Sequence, residues 1–315
     1  VNLALDPVLV RLLGGVLALL VVASCVGAVL ARRARDERAQ ATLRNFNART
    51  NAWWVMVAVF AGALALGRTG TVVLFGLLSF LALREFITLT PTRRGDHRTL
   101  FWVFFVITPA QYWVVWKEWY GLFAVLIPVW AFLFVPIRSA MAGDCGEFLG
   151  RTARIQWALM VCVYCVSHAP MLLSLRIPGF GGDSMALLLY LILVVQLSDV
   201  FQYVWGKLLG RRKIAPNISP NKTWEGFVGG IVTASAVGAG LWWATPFDPW
   251  QSAWVSLAIC LAGFAGGLVM SAIKRDRGVK DYGTLIEGHG GVMDRIDSIC
   301  FAAPVFLHLV RYGWT

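Results

Sequence analysis

Met185–Gly206 reads MALLLYLILVVQLSDVFQYVWG. As a helix the stretch is long enough to cross a bilayer, which takes about 20 apolar residues. Asp199 is its one ionised side chain, about two turns before the basic segment that begins at Lys207. A carboxylate inside an apolar run is costly and marks a candidate functional position; the plainer reading is a helix-end residue reaching the interface. The surrounding chain is of the same kind. Of its 315 residues 58% are hydrophobic and 14% charged, with 15 tryptophans. Soluble domains carry roughly 25% charged residues. Alternating short strands of a β-barrel do not occur. The sequence therefore predicts an all-α, polytopic integral membrane protein.

Ten spans emerge, at 8–31, 52–67, 70–88, 100–116, 119–137, 155–175, 185–206, 225–244, 251–273 and 296–312. The first lacks a basic start and is followed by ARRARDER, so it reads as a retained helix and not a signal peptide. Alternate connections carry the cations: six Lys/Arg in 32–51, three in 89–99, three in 138–154, five in 207–224 and five in 274–295. These are 22 of 28 basic residues, and basic loops mark the cytoplasmic side. Both termini are then expected outside and the five basic loops inside a plasma membrane, bacterial inner membrane by type. One continuous membrane domain is expected, with N-terminal helices over 1–150 and a catalytic region over 151–315. A homodimer is left open.

The net charge of +11 follows in part from this topology. No nucleic-acid-binding module is visible. Six cysteines form no disulfide framework, and the C-x-x-C of Cys162 and Cys165 lies in an apolar helix, where packing is the simpler role. His168-Ala169-Pro170 predicts a kink with a buried histidine bonded to a freed carbonyl.

Chemistry concentrates in two basic loops. In the first, Asp199 and Tyr203 share a helical face, four residues apart. Ser219-Pro220-Asn221-Lys222-Thr223-Trp224-Glu225-Gly226 follows, with Thr223 as a helix N-cap and Glu225 in the first turn. A helix start beside Lys222 suits a phosphate. In the second, Ser271 to Asp297 reads SAIKRDRGVKDYGTLIEGHGGVMDRID. Lys274, Arg275, Lys280 and Arg295 lie among Asp281, Asp294 and Asp297, and His289 stands among glycines. Asp294 and Asp297 share a face on a helix and, with Asp281, can hold hard cations such as Mg²⁺. A glycosidase-type carboxylate dyad has no other support.

The Ser271–Asp297 signature resembles that of the phosphatidate cytidylyltransferase (CDP-diacylglycerol synthase) family. D-V-F-Q-Y-V-W-G-K from Asp199 and S-P-N-K-T-W-E-G from Ser219 resemble the same family, in order and at similar spacing. The resemblance covers roughly the C-terminal 120 residues. It implies transfer from CTP to phosphatidate, with Mg²⁺ and pyrophosphate release. Asp199, Lys222, Lys274, Arg275, Lys280, Asp281, His289, Asp294, Arg295 and Asp297 match the motif. Asp281 and Asp294 are then the leading Mg²⁺ ligands, with Asp199 or Asp297 contributing and a second cation open. Lys222, Lys274, Arg275 and Lys280 would hold phosphates, with Ser219, Asn221, Tyr203 and Arg295 near the substrates. His289 would donate to a phosphate or shape its loop.

Two positions depart from the pattern. Glu287 stands where the family commonly has Pro, and Gln202 where a small residue usually precedes the Tyr. They point to a divergent branch, acting on another lipid phosphate or serving as a partner protein. A transporter is a further alternative, although its polar residues would be expected at the midplane. The D-G-x-x-A-R run of CDP-alcohol phosphotransferases is absent.

Overall fold

The computed structural model describes residues 6–33, 36–180, 184–285 and 290–315. Helix α1 spans Pro7–Arg33, α2 Glu37–Ala65 and α3 Gly67–Thr88. Then come α4 Arg94–Trp116, α5 Tyr120–Ala140, α6 Phe148–Ser174 and α7 Ser184–Leu208. A hairpin of β1, Lys213–Ala215, and β2, Ser219–Thr223, leads into α8, Trp224–Gly240. Helix α9 is Pro249–Asp276, α10 is Met293–Ile296 and α11 is Ile299–Trp314.

Seven of these helices, α1, α3 to α7 and α9, are long and apolar enough to cross a membrane. The other three sequence-derived spans are helical as well. Helices α8 and α11 have only 17 and 16 residues, and α2 opens with a charged segment before its apolar part. The all-α expectation needs one amendment, the two-stranded antiparallel hairpin that pairs Lys213 with Thr223 and Ala215 with Ser219. Glu225 closes it by accepting the backbone N–H groups of Arg211 at 3.0 Å and Arg212 at 3.2 Å.

Local chemistry sets the helix ends. Thr223 caps α8, its hydroxyl accepting the N–H of Gly226 at 3.1 Å. Asp248 and Gln251 form a reciprocal capping box on α9, and Pro249 fits its first position. Helices α4, α5 and α6 each contain a π-helical turn, at Val103–Ile107, Leu126–Ala131 and Leu159–Cys165. Near the last of these, buried His168 bonds through Nδ1 to the Tyr164 carbonyl at 2.8 Å. That carbonyl lies four residues back, and the Ser167 hydroxyl donates to it too.

Helices α7, α8, α9 and α11 pack in sequence, and α6 and α3 close the other side of α11 and α10. The α7–α8 crossing is close because Gly226 and Gly230 lie four apart on α8; a Cβ on Gly226 would come 2.7 Å from the Gln202 carbonyl oxygen, and one on Gly230 2.5 Å from the Gln202 backbone nitrogen. Gln202 turns its side-chain amide to Ser198, at 3.0 Å. Deeper in, the buried Tyr190 hydroxyl joins Ser252 and Ser256 at 2.8 and 2.7 Å, a satisfied polar knot that fixes α7 against α9.

Candidate active site

Ser298, between α10 and α11, joins two carboxylates. Its hydroxyl donates to Asp199 Oδ2 at 2.8 Å. Its backbone N–H donates to Asp297 Oδ1 at 2.8 Å, and its hydroxyl is 3.5 Å from the same oxygen. Both aspartates are partly buried. Lys222 enters the same space from β2. Its Nζ lies 4.5 Å from the Phe264 ring centroid, and a Cβ on Gly267 of α9 would sit 3.1 Å from that Nζ and 3.4 Å from Ser298 Oγ. Burial lowers the Lys222 pKa from the ordinary lysine value, while the charges of Asp199 and Asp297 act the other way.

Asp294 lies one turn before Asp297, its side chain 4% exposed. Oδ1 accepts from Lys274 Nζ at 2.7 Å. Oδ2 accepts the backbone N–H groups of Tyr282 at 2.8 Å and Gly291 at 3.0 Å. Gly290 adopts φ +82°, a conformation glycine tolerates, and a Cβ there would come 2.8 Å from Asp294 Oδ2 and 3.3 Å from Asp281 Cβ. The loop thereby folds over Asp294 and carries the exposed Asp281 beside it.

The arrangement holds two kinds of carboxylate. Asp294 is committed to an ammonium and two amides. Asp199 Oδ1 and Asp297 Oδ2 make no hydrogen bond among the described residues. No three His, Cys, Asp or Glu side chains among the described residues gather closely enough to hold a metal ion alone. The two open carboxylate oxygens suit Mg²⁺, which takes one or two carboxylates and completes its shell with phosphates and water.

Residues 47–313 match the cytidylyltransferase family over most of the chain. The chain belongs to that family. This cytidylyltransferase is 38% identical over 299 residues to the uncharacterized protein YnbB of Escherichia coli (strain K12), covering 94% of this chain and 96% of that one. It is 28% identical over 265 residues to the phosphatidate cytidylyltransferase of Staphylococcus aureus (strain COL), covering 80% and 94%. To the phosphatidate cytidylyltransferase of Staphylococcus haemolyticus (strain JCSC1435) it is 40% identical over 126 residues, covering 39% and 48%. Family and relatives identify a nucleotidyltransferase enzyme.

Other predicted residues of the cytidylyltransferase lie on the hairpin and at the end of α9. Exposed Arg275 ties the hairpin to the end of α9, donating to the carbonyls of Ile218 at 3.2 Å and Val279 at 3.1 Å. Lys280 and Asn221 are exposed and Ser219 is partly buried. Tyr203, 58% exposed, lies under Lys207, whose Nζ is 5.8 Å from its ring centroid. His289 and Glu287 lie outside the described residues.

Sequence reasoning passed over Glu85, on α3. Oε1 accepts the N–H of Val292 at 2.9 Å and Oε2 that of Met293 at 2.8 Å. A Cβ on Gly291 would collide with the same carboxylate. Glu85 therefore fixes the start of α10, one residue before Asp294. Its signal was a lone carboxylate near the end of an apolar span, beside Arg84, which reads equally well as an interface pair.

Proposed function

We propose that this cytidylyltransferase transfers a cytidylyl group from CTP to phosphatidate or a related lipid phosphate, releasing pyrophosphate. The observation that carries the reading is the bridge Asp199–Ser298–Asp297 with Lys222 beside it, set in a frame of apolar helices. Such a site brings together a membrane-borne anion and a soluble polyanion. An oxygen of the lipid phosphate attacks the α-phosphorus of CTP. The bond from that phosphorus to the oxygen bridging to the β-phosphate breaks, and pyrophosphate leaves with the electron pair. A phosphate monoester is already anionic near neutral pH, so positioning and charge stabilisation are the catalyst's task.

Asp199 and Asp297 would hold Mg²⁺, with Asp281 reaching in from the loop; a second cation is open. When bound, the ion supplies charge neutralisation between the two phosphates. Asp294 keeps Lys274 and the backbone at Tyr282 and Gly291 in register and adds its charge at the rim. Lys222, Lys274, Lys280 and Arg275 face phosphates, with Ser219 and Asn221 at the hairpin edge. His289 donates to a phosphate or shapes its loop. The run of basic loops on one face supports a site on the cytoplasmic side of the bacterial inner membrane, where CTP is available. Ten spans and a catalytic region over 151–315 complete the reading, with α3 lending Glu85 from the N-terminal half.

The acceptor stays open among lipid phosphates. The E. coli relative, 38% identical over nearly the full length of both chains, is uncharacterized, whereas the S. aureus phosphatidate cytidylyltransferase stands at 28%. Purified protein given labelled CTP, Mg²⁺ and a panel of lipid phosphates tests the proposal. Label should enter lipid with at least one acceptor; none with any would sink it.

A further inference from the structure

A second space lies beside the segment that carries Asp294 and Asp297, with Val292, Arg295, Ile296 and Ile299 in its lining. It measures about 720 Å³, within the ~300–1,000 Å³ typical of ligand sites. Its walls come from both halves of the chain: Val16 of α1, Met56 of α2, Phe75 of α3 and Leu193 of α7. Val55 and Val59, 64% and 52% exposed, lie at its edge, so it opens sideways on α2. Among the described residues Arg295 is the one charged side chain in its lining. Arg295 stands between Asp294 and Asp297 in the sequence, which puts this wall of the chamber next to the site. Its Nε is buried without a hydrogen-bond partner, and it forms no ion pair among the described residues.

A guanidinium with its Nε buried and unpartnered in the wall of an apolar chamber gains from an anion that meets it. The chamber is apolar along its helices, carries one cation in its lining and opens past the exposed Val55 and Val59. That polarity matches a lipid carrying a phosphate, with its chain along α1, α2 and α7 and its head at Arg295. We infer that this chamber receives an acyl chain of the lipid phosphate acceptor, and that Arg295 holds the acceptor's phosphate beside Asp297. The inference rests on the proposed acceptor class and gives α1 and α2 a function, selection of the acyl chain.

Photolabelling tests it without turnover. The full-length protein in phosphatidylcholine nanodiscs is given phosphatidate bearing a diazirine at the end of an acyl chain, and labelled residues are mapped. Label is expected on the α1 and α2 residues lining the chamber, with unlabelled phosphatidate competing and extra phosphatidylcholine not. Arg295→Gln should abolish that preference. Label elsewhere, or equal competition by phosphatidylcholine, overturns the inference. Two filling variants on different walls, Val16→Phe and Leu193→Phe, provide a kinetic arm. Each should raise KM for long-chain acceptor roughly tenfold, the equivalent of about two methylenes left unburied, and leave a short-chain acceptor unchanged. Equal effects on both chain lengths in both variants count against the chamber. The two readings separate cleanly: chamber labelling without cytidylyl transfer sinks the proposed reaction, whereas transfer with label elsewhere sinks the chamber.

Discussion

Glu85 Oε1 accepts the backbone N–H of Val292 at 2.9 Å, across 207 residues of sequence. The contact ties the N-terminal helices to the segment that carries Asp294 and Asp297. Replacing Glu85 with Ala leaves the Val292 and Met293 amides without their acceptors, a loss of about 1–3 kcal/mol for each such buried group. Glu85→Ala should lower thermal stability and reduce turnover more than it raises KM for CTP. Glu85→Gln keeps one carbonyl acceptor and should recover part of both. Unchanged turnover in Glu85→Ala would separate α3 from the site.

Ser298→Ala removes the hydroxyl that donates to Asp199 and leaves the backbone N–H to Asp297 in place. A hydrogen bond to a charged group contributes about 1.5–3 kcal/mol. Turnover should fall by roughly 10- to 100-fold, and Ser298→Thr should restore part of it. Circular dichroism should show the helices intact in both variants.

Lys274 and Asp294 form an ion pair whose side chains are 13% and 4% exposed. Breaking so buried a pair leaves one charge uncompensated. A double-mutant cycle with Lys274→Met and Asp294→Asn should give a coupling of about 1.5–3 kcal/mol in unfolding free energy. A coupling near zero would mean that the pair does not form in the folded protein. Asp294→Asn should also lose turnover while remaining folded.

Asp144 anchors the turn between α5 and α6. Its carboxylate accepts from Arg151 Nη1 at 2.7 Å and from the Gly146 N–H at 3.0 Å. The Arg151 hydrogen bond, more than the Gly146 amide, holds its pKa below the ordinary aspartate value. A lowered folded-state pKa gives stability that is present above the unfolded value of about 3.9 and lost as pH falls through the folded one. Asp144→Asn should therefore melt below wild type at neutral pH. The gap should close as pH drops below about 3.9, as read by thermal unfolding.

Much of the helical frame was legible in the sequence because hydrophobic length is a local property. The seven long helices were visible as apolar runs, and Thr223 was visible as a cap. The hairpin at 213–223 was hidden because its strands are too short and polar to show alternation. It depends on Glu225, whose bonds to Arg211 and Arg212 form only once the chain has turned back. Spacing put Asp294 and Asp297 on one face. It could not say that Asp294 would be taken up by Lys274 and two amides while Asp297 shared Ser298 with Asp199. That division comes from tertiary contacts, as does the part played by Glu85.

The bridge of Asp199, Ser298 and Asp297 is tested most directly by following CTP labelled at its α-phosphorus into lipid, with purified wild type, Asp199→Asn and Asp297→Asn under Mg²⁺. Wild type should place label in a CDP-lipid and release one pyrophosphate for each. Both variants should fall by at least about 100-fold while remaining folded. Wild type making no CDP-lipid from any lipid phosphate, or both variants staying within about threefold of it, would contradict the assignment.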